Sequence, residues 1–232
     1  MPADRVSFSA TCFSSLVKVF ADEAPTAAEL RGGSALANEV YSFQVAYSSD
    51  QLMKGIRVSV ESSLEPWIRL RTVGLVPCEL PWRDEHDSNV LRTTPGLYPD
   101  PLYPAELPAD DRTVGERTAG DAATLCGAHL PEPAGATAGV VAFPGQWRSV
   151  WVTVDFAAGS PATTRRSESG DRSRAPRPEA GVHPVSIHFD SQAGERLASA
   201  SVELEVIDAA LPPQRLSCTE WFHTRSEERR VG

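Results

Sequence analysis

The chain has 232 residues and a formal net charge of −9, from 31 acidic and 22 basic side chains. That balance argues against nucleic-acid partners, because the phosphate backbone is held mainly by clustered Lys and Arg. A hydrophobic content of 41% and a charged content of 23% are ordinary globular values, whereas 19 Pro and 16 Gly imply many turns and favour strands over helices.

Runs rich in Val, Ile, Phe, Tyr and Trp recur with alternating polarity, separated by Pro, Gly, Asn, Asp or Ser clusters, which is the pattern of strands. In chain order the predicted strands are Leu16–Phe20, Val40–Tyr47, Ile56–Val60, Trp67–Pro77, Ser149–Phe156, Val185–Phe189 and Ala198–Ile207. Such a set suits an all-β fold, an antiparallel β-sandwich of immunoglobulin-like or jelly-roll-like kind. Alternation puts Tyr41, Phe43, Val45 and Tyr47 on one face, with Ser42 and Gln44 on the other. In the same way Val150, Val152, Val154 and Phe156 oppose Trp151, Thr153 and Asp155. An indole on a strand's second face either stacks on a sugar ring or packs under a loop, and packing is the expectation for Trp151. No coplanar spacing of the kind that binding modules present is evident among Trp67, Trp82, Trp147 and Trp151.

Between Glu79 and Pro144 the alternation stops, which predicts a long irregular loop region over 79–144; loops of that size are functional, disordered or docked on another domain. Within it, Leu97-Tyr98-Pro99-Asp100-Pro101-Leu102-Tyr103-Pro104 predicts a polyproline-like segment holding its aromatic side chains out for docking. Residues 159–180 contain Ser, Arg, Pro, Thr and Glu without a large apolar side chain, so a disordered insertion is expected there. Ser217 to Thr224 is again apolar and aromatic. The last eight residues, 225–232, read as the in-frame translation of a common sequencing adapter and are excluded from fold reasoning.

Cys12, Cys78, Cys126 and Cys218 lack CxxC or CxxxxH spacing, so neither a metal site nor a disulfide framework is expected. Asp84-Glu85-His86-Asp87 gathers carboxylates and an imidazole, yet consecutive residues point in different directions, and a solvated acidic turn is the expectation. No GxSxG elbow occurs, and no cofactor is expected. No apolar run approaches the roughly 18 residues that cross a bilayer, and Met1-Pro2-Ala3-Asp4-Arg5 does not begin a secretion signal. The expectation is a cytoplasmic protein with no membrane partner.

Several segments resemble the N-terminal part of a bacterial family of unknown function, number 4091, which is related to glycoside hydrolase family 123. They are Asn38-Glu39-Val40-Tyr41-Ser42-Phe43-Gln44, Val73-Gly74-Leu75-Val76-Pro77, Tyr98-Pro99-Asp100-Pro101-Leu102, Gly145-Gln146-Trp147-Arg148-Ser149-Val150-Trp151, Ala180-Gly181-Val182-His183, Leu211-Pro212-Pro213 and Thr219-Glu220-Trp221-Phe222-His223. The resemblance implies an N-terminal sandwich over 1–212, then a (β/α)8 barrel of which 213–224 holds the first strand. In family 123 an adjacent Asp-Glu pair on the barrel acts with the substrate's acetamido group on N-acetylgalactosaminides. Asp22-Glu23 and Asp84-Glu85 fall in sandwich loops instead, so no residue here is assigned to catalysis. The implied partners are the chain's own barrel domain and the carbohydrate substrate of a longer protein. Tyr98, Asp100, Leu102 and Tyr103 are the expected interdomain contact. Trp221 and His223 would line a sugar site on the barrel, or else pack into its wall; both readings stay open.

Overall fold

The computed structural model describes residues 6–81, 91–104, 137–157 and 177–212. Ten strands occur among them: β1 (Phe8–Ser14), β2 (Gly32–Leu36), β3 (Val40–Ser49), β4 (Met53–Glu61), β5 (Ile68–Cys78), β6 (Gly96–Pro104), β7 (Thr137–Ala142), β8 (Trp147–Asp155), β9 (Gly181–Asp190) and β10 (Arg196–Ile207). They form two five-stranded sheets, A in the order β1-β3-β8-β5-β6 and B in the order β2-β10-β9-β4-β7. Neighbours pair antiparallel except β2 and β10, which run parallel. The chain is therefore an all-β sandwich. The predicted first barrel strand within 213–224, the tail 225–232, Asp84 to Asp87, most of the 159–180 insertion, Cys126, Cys218, Trp82, Trp221 and His223 lie outside the described residues.

Period-2 alternation builds the core. Phe43 and Val45 from β3, Val150, Val152 and Val154 from β8, and Ile68 and Leu70 from β5 point from sheet A into one cluster. There they meet Ile56 and Val58 of β4, Val185, Ile187 and Phe189 of β9, and Val202, Leu204 and Val206 of β10. Each fully buried side chain of this size contributes about 1.5–3 kcal/mol of transfer free energy. The Phe189 ring lies 5.3 Å from that of Tyr47 and 5.5 Å from that of Phe8. Tyr47 spends its hydroxyl across the sandwich, donating to the Val141 carbonyl of β7 at 3.2 Å. At one end, Leu64 and a 3-10 turn at Glu65–Trp67 close the core, with Trp67 edge-on to Phe156 at 6.0 Å.

Two expectations are corrected. Leu16–Phe20 is not a strand: β1 ends at Ser14, whose carbonyl accepts the Val17 N–H at 3.1 Å and whose hydroxyl accepts the Leu16 N–H at 3.3 Å. A serine that bonds its own neighbourhood turns the chain, and residues 15–21 then cross the outer face of sheet A as a strap. Nor is 79–144 irregular throughout. Leu97 to Pro104 lies in β6, an extended strand paired with β5 from Cys78↔Gly96 to Arg71↔Pro104, in place of a polyproline-like loop. Proline is tolerated there because β6 is the edge of its sheet. β7, also in that stretch, runs Thr-Ala-Gly-Val-Val-Ala and pairs with β4.

Candidate functional site

The outer face of sheet A carries the features that set this sandwich apart from a bare scaffold. On most two-layer sandwiches that face is wet and polar. Here Gln44, Ala46 and Ser149 are buried on it, because the strap lies over them. The Gln44 side-chain amide, 2% exposed, donates to the carbonyls of Ser14 and Val17. Val19, Phe13 and Ala46 form a second small core, flanked by Val17 and Trp147. The Trp147 N–H donates to the Ala21 carbonyl at 2.9 Å and closes the strap's far end.

Past that point the strap meets the approach to β6. Phe20, buried, receives the edge of Tyr98 with ring centroids 5.4 Å apart, and the Arg92 guanidinium sits 4.8 Å over the Phe20 ring. The same guanidinium donates to both carboxylate oxygens of Asp22, Nη1 to Oδ1 at 2.7 Å and Nη2 to Oδ2. Its Nε donates to Thr94 Oγ1 at 3.0 Å. The Tyr98 hydroxyl lies 2.7 Å from the Thr94 carbonyl and 3.2 Å from that of Arg92. The Arg92 hydrogen bond holds the Asp22 carboxyl below the usual carboxylate range, and burial pushes the Tyr98 phenol up. A forked Arg–carboxylate pair over an aromatic ring is a geometric clamp; it pins 91–98 to the strap.

Two cavities flank the clamp. A groove of about 450 Å³ runs between Lys18, Phe20, Arg92 and Tyr98 on one side and Val76, Pro77 and Cys78 on the other. A smaller one of about 150 Å³ lies between the strap and Trp151, with Val73, Asp100 and Leu102 on its far wall. Lys18, Pro99 and Asp100 line both. Of the expected interdomain residues, Tyr98 is half-buried in the larger groove, Asp100 is exposed at both, and Leu102 and Tyr103 stand 40% and 45% exposed on β6. Tyr103 also lies over Gly74, where a Cβ would come within 2.2 Å of its ring, so only glycine fits beneath it.

Phe20, Lys18 and Arg92 were not legible as partners of Tyr98. Their meeting depends on the strap's path, and nothing local in the sequence marks it. Asp22 of the Asp22-Glu23 pair has both carboxylate oxygens engaged by Arg92. On the outer face of sheet B, His188 lies 2.9 Å from Ser199 Oγ and 3.1 Å from Glu61 Oε2. This has the composition of a hydrolytic triad, but Ser199 is simply the cross-strand partner of His188, and Arg196 reaches both the Ser199 hydroxyl and the same ring nitrogen of His188. It is a surface ladder of polar pairs. Among the described residues no group of three or more His, Cys, Asp or Glu side chains is placed to hold a metal ion, and no helix is long and apolar enough to cross a membrane.

Neither a protein-family model nor a curated protein matches the sequence. Among solved structures, the fold is similar to that of a family 123 glycoside hydrolase from Clostridium perfringens, a structure described in connection with glycolipid glycan hydrolysis. The TM-score is 0.52 at 10% sequence identity, covering 89% of this chain and 28% of that one. At that identity the likeness is one of fold. The chain spans 28% of the length of the hydrolase it matches.

Proposed function

We propose that this chain is the non-catalytic N-terminal β-sandwich domain of a glycoside hydrolase family 123-like protein. In this reading it supports a (β/α)8 barrel that hydrolyses N-acetylhexosaminide-type glycosides. The observation that carries the reading is the fold match, which takes in nearly all of this sandwich and little more than a quarter of a hydrolase of that family. The segments that resemble the family point the same way. Among the described residues, the two grooves beside the clamp each present Asp100 as a carboxylate; substrate-assisted hydrolysis uses an acid and a second, orienting carboxylate.

The supporting surface in this reading is the β6 edge. Leu97, Leu102 and Tyr103 are exposed along it, and Pro99, Pro101 and Pro104 remove three backbone donors, so a partner is met by side chains and not by an added strand. Tyr98 shapes this edge through Phe20, and Asp100 borders it.

The test compares this chain with a longer product of the same gene that carries the downstream barrel. The chain alone is expected to leave aryl N-acetylgalactosaminides and other aryl glycosides uncleaved, and the longer protein to cleave the former. Leu102→Asp with Tyr103→Asp should lower the melting temperature of the longer protein and leave that of the chain alone unchanged. Turnover by the chain alone, or a longer protein indifferent to the double substitution, would refute the proposal.

A further inference from the structure

The strap stops short of Trp151, and what it leaves open has the dimensions and chemistry of a small binding site. Trp151 projects from β8 on the side opposite the core residues Val150 and Val152, half-buried. Across the strand pairs it stands between Gln44 and Arg71. Among the described residues no other aromatic ring packs against it, although the core aromatics are stacked or edge-on to one another. Its indole lines the cavity of about 150 Å³ between the strap and β6.

The polar groups at that cavity are few and opposite in sign. Among the described residues, the Lys18 ammonium, on an exposed side chain, reaches one acceptor, the Pro99 carbonyl at 3.5 Å, which occupies one of its three donors. Asp100 is exposed and makes no hydrogen bond or ion pair among the described residues. Ser15 adds a hydroxyl. The Gln44 amide is already committed to two backbone carbonyls. The remaining wall is aliphatic.

We propose that this cavity is a binding subsite for one neutral pyranose ring, stacked on Trp151 and hydrogen-bonded at its rim by Lys18 and Asp100. Drug-sized ligands fill pockets of roughly 300–1,000 Å³, so the cavity takes a single ring. An indole offers a flat face that suits the C–H face of a pyranose. One cation and one anion at the rim cancel as a net field yet supply strong donors and acceptors for adjacent hydroxyls. That combination disfavours a charged ligand and favours a polyhydroxylated one. The inference rests on the cavity alone and stands whether or not a barrel follows.

The chain as it stands is titrated with methyl β-galactopyranoside, methyl β-glucopyranoside and methyl α-mannopyranoside. The readouts are saturation-transfer NMR and the shift of the Trp151 indole N–H, with adenosine as a flat aromatic comparator. At least one sugar is expected to shift Trp151 with a dissociation constant on the order of 1–10 mM, the range a ligand of one ring reaches. Trp151→Ala should weaken that binding by about tenfold or more, and Asp100→Asn by several-fold, both without a change in melting temperature beyond the few degrees of an ordinary surface substitution. If Trp151→Ala does not fold, Asp100→Asn and Lys18→Met decide the matter, since both are exposed. No shift at Trp151 with any sugar up to roughly 50 mM, a range covering several such constants, would overturn the proposal. So would adenosine binding as well as the sugar, or sugar affinity that survives both rim substitutions.

Discussion

Replacing Gln44 by Met tests whether one side chain holds the strap to sheet A. The substitution keeps the length and volume of the side chain and removes both N–H donors, leaving the Val17 carbonyl without its Gln44 partner and the Ser14 carbonyl with the Val17 N–H alone. A buried acceptor left unpaired costs about 1–3 kcal/mol. The strap has one escape, which is to lift so that water reaches the carbonyls, but that uncovers Phe13 and Val19, each worth about 1.5–3 kcal/mol when fully buried. The cheaper route sets the loss, at about 1–3 kcal/mol. For a domain of this size each kcal/mol shifts the melting temperature by about 2–4 °C, so Gln44→Met should melt roughly 2–12 °C below the parent. Calorimetry or far-UV circular dichroism reads the shift, and amide exchange locates it: the Trp147 N–H, which donates to Ala21, should lose protection more than the β9–β10 ladder. A shift under about 2 °C, or a large one with the Trp147 amide still protected, would show that the strap is held by something other than Gln44.

Phe189, fully buried and ringed by Phe8 and Tyr47, should cost about 3–5 kcal/mol when cut to alanine, seen as a lower urea midpoint at unchanged slope. Burial, with a lesser push from Glu29, raises the Cys12 thiol to about 12. Alkylation at pH 8 with peptide mapping should therefore label the half-buried Cys78 and spare Cys12 until the chain is unfolded; equal labelling in the native state would contradict the buried position of β1. Asp22, with its pKa depressed by Arg92, contributes stability that is present above its unfolded pKa near 3.9 and is lost as pH falls through the lower folded value. Because its carboxylate is 59% exposed, the contribution is below about 1 kcal/mol. In Arg92→Gln the Asp22 carboxyl, followed by carbon NMR, should titrate closer to 3.9, and the stability gap to the parent should close with acidification. An unmoved titration would rule out the clamp.

The strands that were readable from sequence are those where large apolar residues alternate. Tyr41, Phe43, Val45 and Tyr47 announce β3, and Val150, Val152 and Val154 announce β8. β1 escaped because its buried face is Phe8, Ala10 and Cys12 between Ser and Thr, so the contrast along the strand is slight. β2 escaped because its Gly, Ser and Ala carry too little apolar bulk to register, β7 because Val140 and Val141 are adjacent and do not alternate, and β6 because its prolines read as a break. The Tyr98 to Pro104 segment reads as polyproline-like from its prolines, yet its conformation follows from its position at the sheet edge, which one segment alone does not reveal. The same holds for the face of Trp151. Alternation puts it opposite the core, but whether the strap covers it depends on a crossing whose anchors, Gln44 to Ser14 and Trp147 to Ala21, span long stretches of chain.

The parallel pairing of β2 with β10 bears on the order in which the molecule can be assembled. Asn38, just past β2, bonds Leu211 just past β10 across 173 positions of chain, and the ladder between the two strands closes over a similar span. A ribosome adding about 5–20 residues per second therefore holds Gly32 to Leu36 waiting on the order of ten seconds or more for its neighbour. Ala35, buried in the finished core, is exposed for that time, and sheet A, with β1, β3, β5 and β8 all earlier in the chain, is complete first. Closure by the last strand is a long-range step that makes folding slow. Chaperone dependence in the cell should accordingly track the speed of translation through β9 and β10 more than the stability of the finished fold.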